Sequence, residues 1–175
     1  TESDNLAIRG VLGASGGRAL CSEIEHHAVL DVVHASGGGT VAVDASGRLD
    51  LEHLADELAA DPEISVVSVM LANNEVGTLQ DLDAVADVIE AARPTHPRGL
   101  VLHTDAVAAA AWVDLAPTVA RADLVTVSGH KVGGPKGIGV LAVRPGVTIA
   151  PLLIGGGQER ERRSGTPDVA GAVAL

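Results

Sequence analysis

The chain of 175 residues suits one domain, and its hydrophobic residues are Ala, Val and Leu almost throughout, with no Phe or Tyr and only Trp112, so its core is built from small aliphatic side chains. A formal net charge of −11 repels phosphate backbones and the missing aromatic rings leave bases nothing to stack on, which argues against nucleic acid as a partner. No apolar run approaches the ~20 residues of a membrane span; residues 1–5 are unlike a signal peptide, and the lone Cys21 permits no intrachain disulfide, so the expected setting is the reducing cytoplasm.

The predicted elements alternate along the chain. A helix covers 6–12, with Thr1, Ser3 or Asp4 placed to cap it. Gly16-Gly17 punctuates, and 19–24 reads as a strand. A helix over 28–33 runs into Gly37-Gly38-Gly39, and 41–43 is a short strand. Residues 50–60 form an amphipathic helix stopped near Pro62. The β-branched run 64–71 is a buried strand, and 82–92 is a helix ending before Pro94. Strands follow at 100–103, 124–127 and 138–143, with a helix expected from Ala106 and another after Asp168. This alternation predicts a three-layer α/β/α sandwich with a mainly parallel sheet and right-handed crossovers. No repeat or linker divides it, so a single domain over 1–175 is expected.

In such sheets ligands sit beyond the carboxyl ends of the strands. Three predicted strand ends carry unusual polar groups: Asn73-Asn74-Glu75, Thr104-Asp105 and Ser128-Gly129-His130-Lys131. A lysine at the last of these points into a crevice, where desolvation lowers its pKa and lets it form a Schiff base with an aldehyde. The alternative is an exposed loop lysine. The stretch 133–137 contains Lys136 but lacks phosphate-loop spacing, and Pro135 removes a backbone donor. Asp105 could hold a protonated heterocyclic nitrogen, or cap the helix expected at Ala106. His26 could stack on a flat ring or be a surface histidine. His103, Asp105 and His130 lack the spacing of a zinc site, so no metal is expected. For an anion, Thr1 and Ser3 at a helix start, with Ser128, His130 and Thr166, supply donors. Arg160, Arg162 and Arg163 form the one dense basic cluster, on charge alone a solvated loop.

Taken together, these residues resemble the NifS/IscS-type cysteine desulfurases, within the class V aminotransferases and the fold type I pyridoxal-phosphate enzymes. The resemblance is carried by TESDNLAI (1–8), SEIEHHAVL (22–30), NNEVGTLQ (73–80), HTDAV (103–107), SGHKVGGPKGIGVL (128–141) and GGGQERERRSGT (155–166), which run nearly end to end in family order. It implies part of a fold type I large domain, without the family's N-terminal segment and small C-terminal domain. It implies pyridoxal 5'-phosphate as cofactor. Lys131 would carry the Schiff base, and His26 would stack on the ring and assist proton transfer. Asp105 would bind the pyridine nitrogen, and Asn74 would lie near the phenolic oxygen. Thr1, Ser128 and His130 would hold the phosphate. Thr166 would reach the phosphate of a neighbouring subunit, which implies a homodimer. The implied activity of the whole protein is removal of sulfur from L-cysteine, giving L-alanine and an enzyme persulfide. That sulfur would pass to an acceptor or scaffold protein for iron–sulfur cluster or thio-cofactor synthesis. A selenocysteine lyase, another class V aminotransferase or a non-catalytic scaffold module would share this core.

Two features depart from the family pattern. The persulfide cysteine and the arginine for the substrate carboxylate lie outside these motifs. Cys21, before His26, reads as a buried structural thiol, so the fragment alone is not expected to turn over cysteine. Family members usually carry glutamine three residues after the aspartate, where this chain has Ala108. A missing donor to a charged phenolic oxygen costs roughly 1.5–3 kcal/mol. Ala108→Gln is therefore expected to tighten cofactor binding about tenfold or more and to shift the visible cofactor band in a spectral titration. Unchanged affinity and spectrum would refute the assignment.

Overall fold

In the computed structural model, which describes residues 1–175, the alternating apolar runs become one six-stranded sheet with helices on both faces. The strands are β1 (Arg18–Ser22), β2 (Gly39–Val41), β3 (Ile64–Ser68), β4 (Val101–Asp105), β5 (Leu124–Ser128) and β6 (Gly139–Val143), in the spatial order β2-β1-β3-β4-β5-β6. Neighbours are parallel except β5 and β6, which run antiparallel. The connection 129–138 is shorter than the dozen or so residues a parallel crossover requires, so the chain returns antiparallel. β3, with the sequence ISVVS, is buried along its whole length between β1 and β4, as its β-branched composition predicts.

The period-two alternation of the strands divides the core between two layers. On one face Ala19, Cys21, Val66 and Leu124 pack with Leu6, Ile8 and Val11 of α1 (Glu2–Ser15) and Val29 and Val33 of α2 (His27–Ala35). On the other, Leu20, Val67, Leu102 and Val125 meet Leu54 and Leu58 of α3 (Leu51–Ala60) and Val85 and Ile89 of α4 (Leu82–Ala92). Each helix contributes pairs at i,i+3 or i,i+4, one stripe toward the sheet. Full burial of each such Leu or Ile stabilises by about 1.5–3 kcal/mol. Asp50 and Asp81 cap α3 and α4 by accepting from the amides of His53 and Ala84 at 3.0 and 3.1 Å.

The expected elements differ from the observed ones at their ends. The paired part of β3 stops at Ser68, although Val69 and Leu71 still donate to the carbonyls of His103 and Asp105 at 3.0 and 2.9 Å. Residues after Ala106 form successive turns, with only α5 (Leu115–Thr118) as a single helical turn. Ala106 and Ala109 are buried in the core, and the turns that place them there end before Asp114, the N-cap of α5. The helix after Asp168 is the short α6 (Val169–Ala174).

Asp123 ties the strands that carry the polar ends. It is buried at the start of β5, and its Oδ2 accepts from the Leu102 amide of β4 at 2.9 Å and from Arg93 at 2.6 Å. Removing it strands a buried amide and a cation. Asp123→Ala is expected to lower unfolding free energy by about 2–3 kcal/mol, read as a lower urea midpoint at unchanged slope. A loss below about 0.5 kcal/mol, the level of ordinary surface substitutions, would rule out this tie as a determinant of stability.

Candidate functional site

Because β1, β3, β4 and β5 are adjacent and parallel, their carboxyl ends lie along one sheet edge. The sequence-predicted residues gather there. His26 follows β1, Asn74 follows β3, Asp105 ends β4, Ser128 ends β5, and His130 and Lys131 lie in the 3-10 turn immediately after it. Thr1 is the N-cap of α1, which packs across β3 to β6.

A cavity of about 1010 Å³ opens between the start of α1, the end of β5, β6 and the loop 155–168. Thr1, Ser128, His130 and Thr166 line it together, whereas His26, Asn74, Asp105 and Lys131 lie outside it. The Thr1 side chain makes no cap bond, so its hydroxyl is available beside the free amides of the first helical turn. Ser128 Oγ and His130 Nδ1 are 2.8 Å apart. The backbone approaches closely here. A Cβ on Gly129 would lie 2.7 Å from Ile138 Cγ2, and one on Gly139 would lie 3.0 Å from the Val127 oxygen and 3.4 Å from Ser3 Oγ.

The basic loop is not simply solvated. Arg163 Nε donates to Glu2 Oε1 at 2.8 Å, fastening the loop to the first turn of α1. That hydrogen bond, together with the guanidinium charge, holds the Glu2 carboxyl below its ordinary range. The Gly165 amide donates to Gln158 Oε1 at 2.9 Å, which sets Thr166 next to the cradle. Glu159, Arg160 and Glu161 have φ values of 50°, 58° and 65°, a left-handed run that costs about 1–2 kcal/mol per residue.

At the other end of the edge, His26 caps α2. Its Nδ1 accepts from the Ala28 amide at 3.0 Å, so the neutral ring carries its proton on Nε2. The residue is otherwise exposed. Asp105 is buried, and its Oδ1 accepts from the Val107 amide at 2.8 Å. It therefore caps a turn, while its Oδ2 makes no bond within the chain. Burial first, and then the nearby Asp4 charge, push Asp105 up to about 6, against the opposing pull of the Val107 amide. Asn74 is exposed. Ala108 packs half-buried against the larger apolar cluster.

Lys131 corrects one expectation. It is exposed rather than desolvated in a crevice. The turn that holds it is buried only at Gly129.

Sequence reading missed a buried polar layer beneath the edge. His103 bridges three strands, with Nδ1 2.8 Å from Ser68 Oγ and Nε2 3.0 Å from Thr126 Oγ1. Burial pushes it down to about 4, despite the opposing Asp4 charge, so it is neutral at pH 7. Asp4 is 1% exposed, and its Oδ1, 3.9 Å from His103 Nε2, has no hydrogen-bond partner. Glu25 is 6% exposed; its Oε1 accepts from the Met70 amide at 2.5 Å, and its Oε2 has no partner. Burial pushes Glu25 well above the carboxylate range, and Asp105 and Asp4 add to this. Three buried acids thus share a region whose one imidazole is neutral. What the chemistry of this donor set favours is a cation against Asp105, as a protonated ring nitrogen would supply. Asp4 was legible as a candidate cap of the first helix, where the structure has Thr1 as the N-cap, and Glu25 only as a member of the SEIEHHAVL stretch; neither read as a buried acid.

The family model for class-V aminotransferases matches residues 1–175. The chain is 40% identical to an IscS-like cysteine desulfurase of Mycobacterium tuberculosis over 187 residues, covering all of this chain and 46% of that protein. It is 43% identical to the cysteine desulfurase NifS of Azotobacter vinelandii over 182 residues, covering all of this chain and 43% of that protein. Among solved structures, a NifS-like protein from Rickettsia africae superposes with a TM-score of 0.88 at 30% identity, covering 99% of this chain and 46% of that one. The chain spans less than half the length of the curated relatives it matches.

The position of Asp105 has a measurable consequence in the cofactor-free protein. Below its ordinary value of 3.8 it is protonated whether folded or unfolded; between there and about 6 the folded chain binds the extra proton, so stability falls as pH rises. Above about 6 the cost stays constant, at roughly 3 kcal/mol. His103 works in the opposite sense over a similar range, and comparing variant with wild type cancels it. Asp105→Asn is expected to stabilise the cofactor-free chain by up to about 3 kcal/mol more at pH 7.5 than at pH 3.5, read from denaturant midpoints. An equal difference at the two pH values would refute the reading.

Proposed function

The chain belongs to the class-V aminotransferase family, and from that premise we propose that it forms the cofactor-binding portion of a pyridoxal-phosphate-dependent cysteine desulfurase. The observation that carries this reading is the shared sheet edge, where His26, Asn74, Asp105 and the Ser128–Lys131 turn end four adjacent strands. The names of the relatives support cysteine as the sulfur source. Bound at this edge, pyridoxal phosphate supplies an aldehyde for an amine to condense with and a protonated ring that draws electrons from the Cα of an amino acid.

The chain's own groups divide the work. Lys131 Nζ, on the turn after β5, would hold the cofactor and serve as the base for the Cα proton of the substrate. His26 would stack on the ring, and the bond at Nδ1 keeps the proton of its neutral form on Nε2. Asp105 would hold the protonated ring nitrogen, a positive partner that offsets the buried charge of the acid. Asn74 would serve the phenolic oxygen. Thr1 and the Ser128–His130 pair would bind the phosphate in the cradle bounded by Gly129 and Gly139. Thr166, on the loop that the Arg163–Glu2 bond fastens, would serve the phosphate of a second subunit in a homodimer.

Cys21 is not the sulfur acceptor. It is fully buried, and burial first, with Glu25 second, pushes its thiol up to about 12, so it does not ionise near neutral pH. It is the only cysteine present; the thiol that receives sulfur is therefore supplied from outside these 175 residues. From there sulfur passes to a scaffold protein of iron–sulfur assembly in a reducing, cytoplasmic setting, which the unpaired Cys21 suits.

In the full-length protein, added pyridoxal phosphate should give a visible band that borohydride fixes to Lys131, identified by peptide mass. Lys131→Ala should abolish the band and lower cysteine turnover at least about a hundredfold. Covalent trapping on another lysine, or none, would overturn the reading.

A further inference from the structure

We propose that Glu25 and Asn73 form a clasp that positions His26 for stacking on the cofactor ring, an inference that rests on the function proposed above. The connection between β1 and α2 is short, residues 23–26. Two side-chain bonds hold it against the segment that follows β3. Asn73 Nδ2 donates to the Ile24 carbonyl at 3.0 Å, and Glu25 Oε1 accepts from the Met70 amide at 2.5 Å. Asn73 is itself fixed, because its Oδ1 accepts from the amides of Glu75 and Val76 at 2.9 and 3.0 Å. Met70 is 2% exposed and Asn73 is 9% exposed, so both anchor points sit in the packed interior.

His26 comes directly after the clasped pair. Its backbone is extended, with φ −62° and ψ 147°, and its ring is held downstream by the Ala28 amide. The residue is thus gripped on both sides, while its Nε2 makes no hydrogen bond and the side chain stays exposed, with only the His27 ring edge-on at 6.5 Å. An exposed side chain would otherwise spread over its staggered rotamers. Burying an acid without a cation is unfavourable, and an apolar residue would fill the Glu25 position with less penalty. The arrangement makes sense if the Met70 bond is needed to place the next residue. Burial pushes the Glu25 carboxyl well above the carboxylate range, and Oε1 is the atom that accepts from Met70. A glutamine would preserve that acceptor.

The test uses the full-length protein and three variants. Glu25→Gln keeps the acceptor for Met70, whereas Glu25→Leu removes it at similar volume. Asn73→Asp keeps the acceptors for Glu75 and Val76 and removes the Nδ2 that donates to Ile24 and, at 3.6 Å, to Met70 Sδ. The readouts are induced circular dichroism per mole of bound pyridoxal phosphate, and the ¹⁵N signature of the His26 tautomer in the cofactor-free protein. Glu25→Leu and Asn73→Asp should each lose at least half the induced signal, lose the fixed Nε2–H signature, and weaken cofactor binding about tenfold. Glu25→Gln should retain both signatures. Wild-type signatures in Asn73→Asp, or their loss in Glu25→Gln, would overturn the clasp even where melting temperatures fall. If Glu25→Leu fails to fold, Asn73→Asp decides. A wild-type protein that never acquires the band would instead sink the cofactor reading, while the tautomer signatures would still report on the clasp.

Discussion

Parallel pairing of β1, β3, β4 and β5 is the constraint from which the site follows. Parallel strands point their carboxyl ends the same way, and the hydrogen-bond register fixes how far each projects. Ser68 sits opposite His103, and Asp105 opposite Thr126. Groups far apart in sequence therefore meet along one edge without any loop having to find its own position. Loops only have to leave that edge in suitable conformations, which they do through short turns pinned by side chains such as Asn73 and Asp105.

The same edge gathers acidic side chains where water is scarce. Asp4, Glu25 and Asp105 are all buried, and the neighbouring His103 is neutral. Burying these acids weakens the chain on its own, and a cation bound against Asp105 would relieve part of that cost by mass action. The anion-binding end works in the other direction, with helix amides, hydroxyls and an arginine-fastened loop. The two ends are thus complementary to a molecule that is cationic at one pole and anionic at the other.

Much of this was legible in the sequence. The β-branched run at 64–71, the amphipathic stretch at 50–60 and the helical stretch at 82–92 have local physical signatures, and they fold as β3, α3 and α4, with β3 ending three residues early. Polar residues after apolar runs marked Asn74, Asp105 and Ser128–Lys131 as strand-end groups. Tertiary effects were not legible. Nothing in the spacing says that Lys131 is exposed, that Asp4 turns inward from the first turn of α1, or that Glu25 reaches Met70. A charged residue on a helix or turn reads as a solvated face, and only packing reveals the exceptions. The stretch after Ala106 failed for a related reason: helix propensity there loses to core burial of two alanines.

Gly129 has a wider consequence. Since even a methyl group there would collide with Ile138, the backbone leading to Lys131 has almost no slack, while the lysine beyond it has a four-carbon stem free in solvent. Accuracy and reach are thereby assigned to different parts of the same turn. The tight pivot defines where the amine starts, and the stem sets how far it reaches.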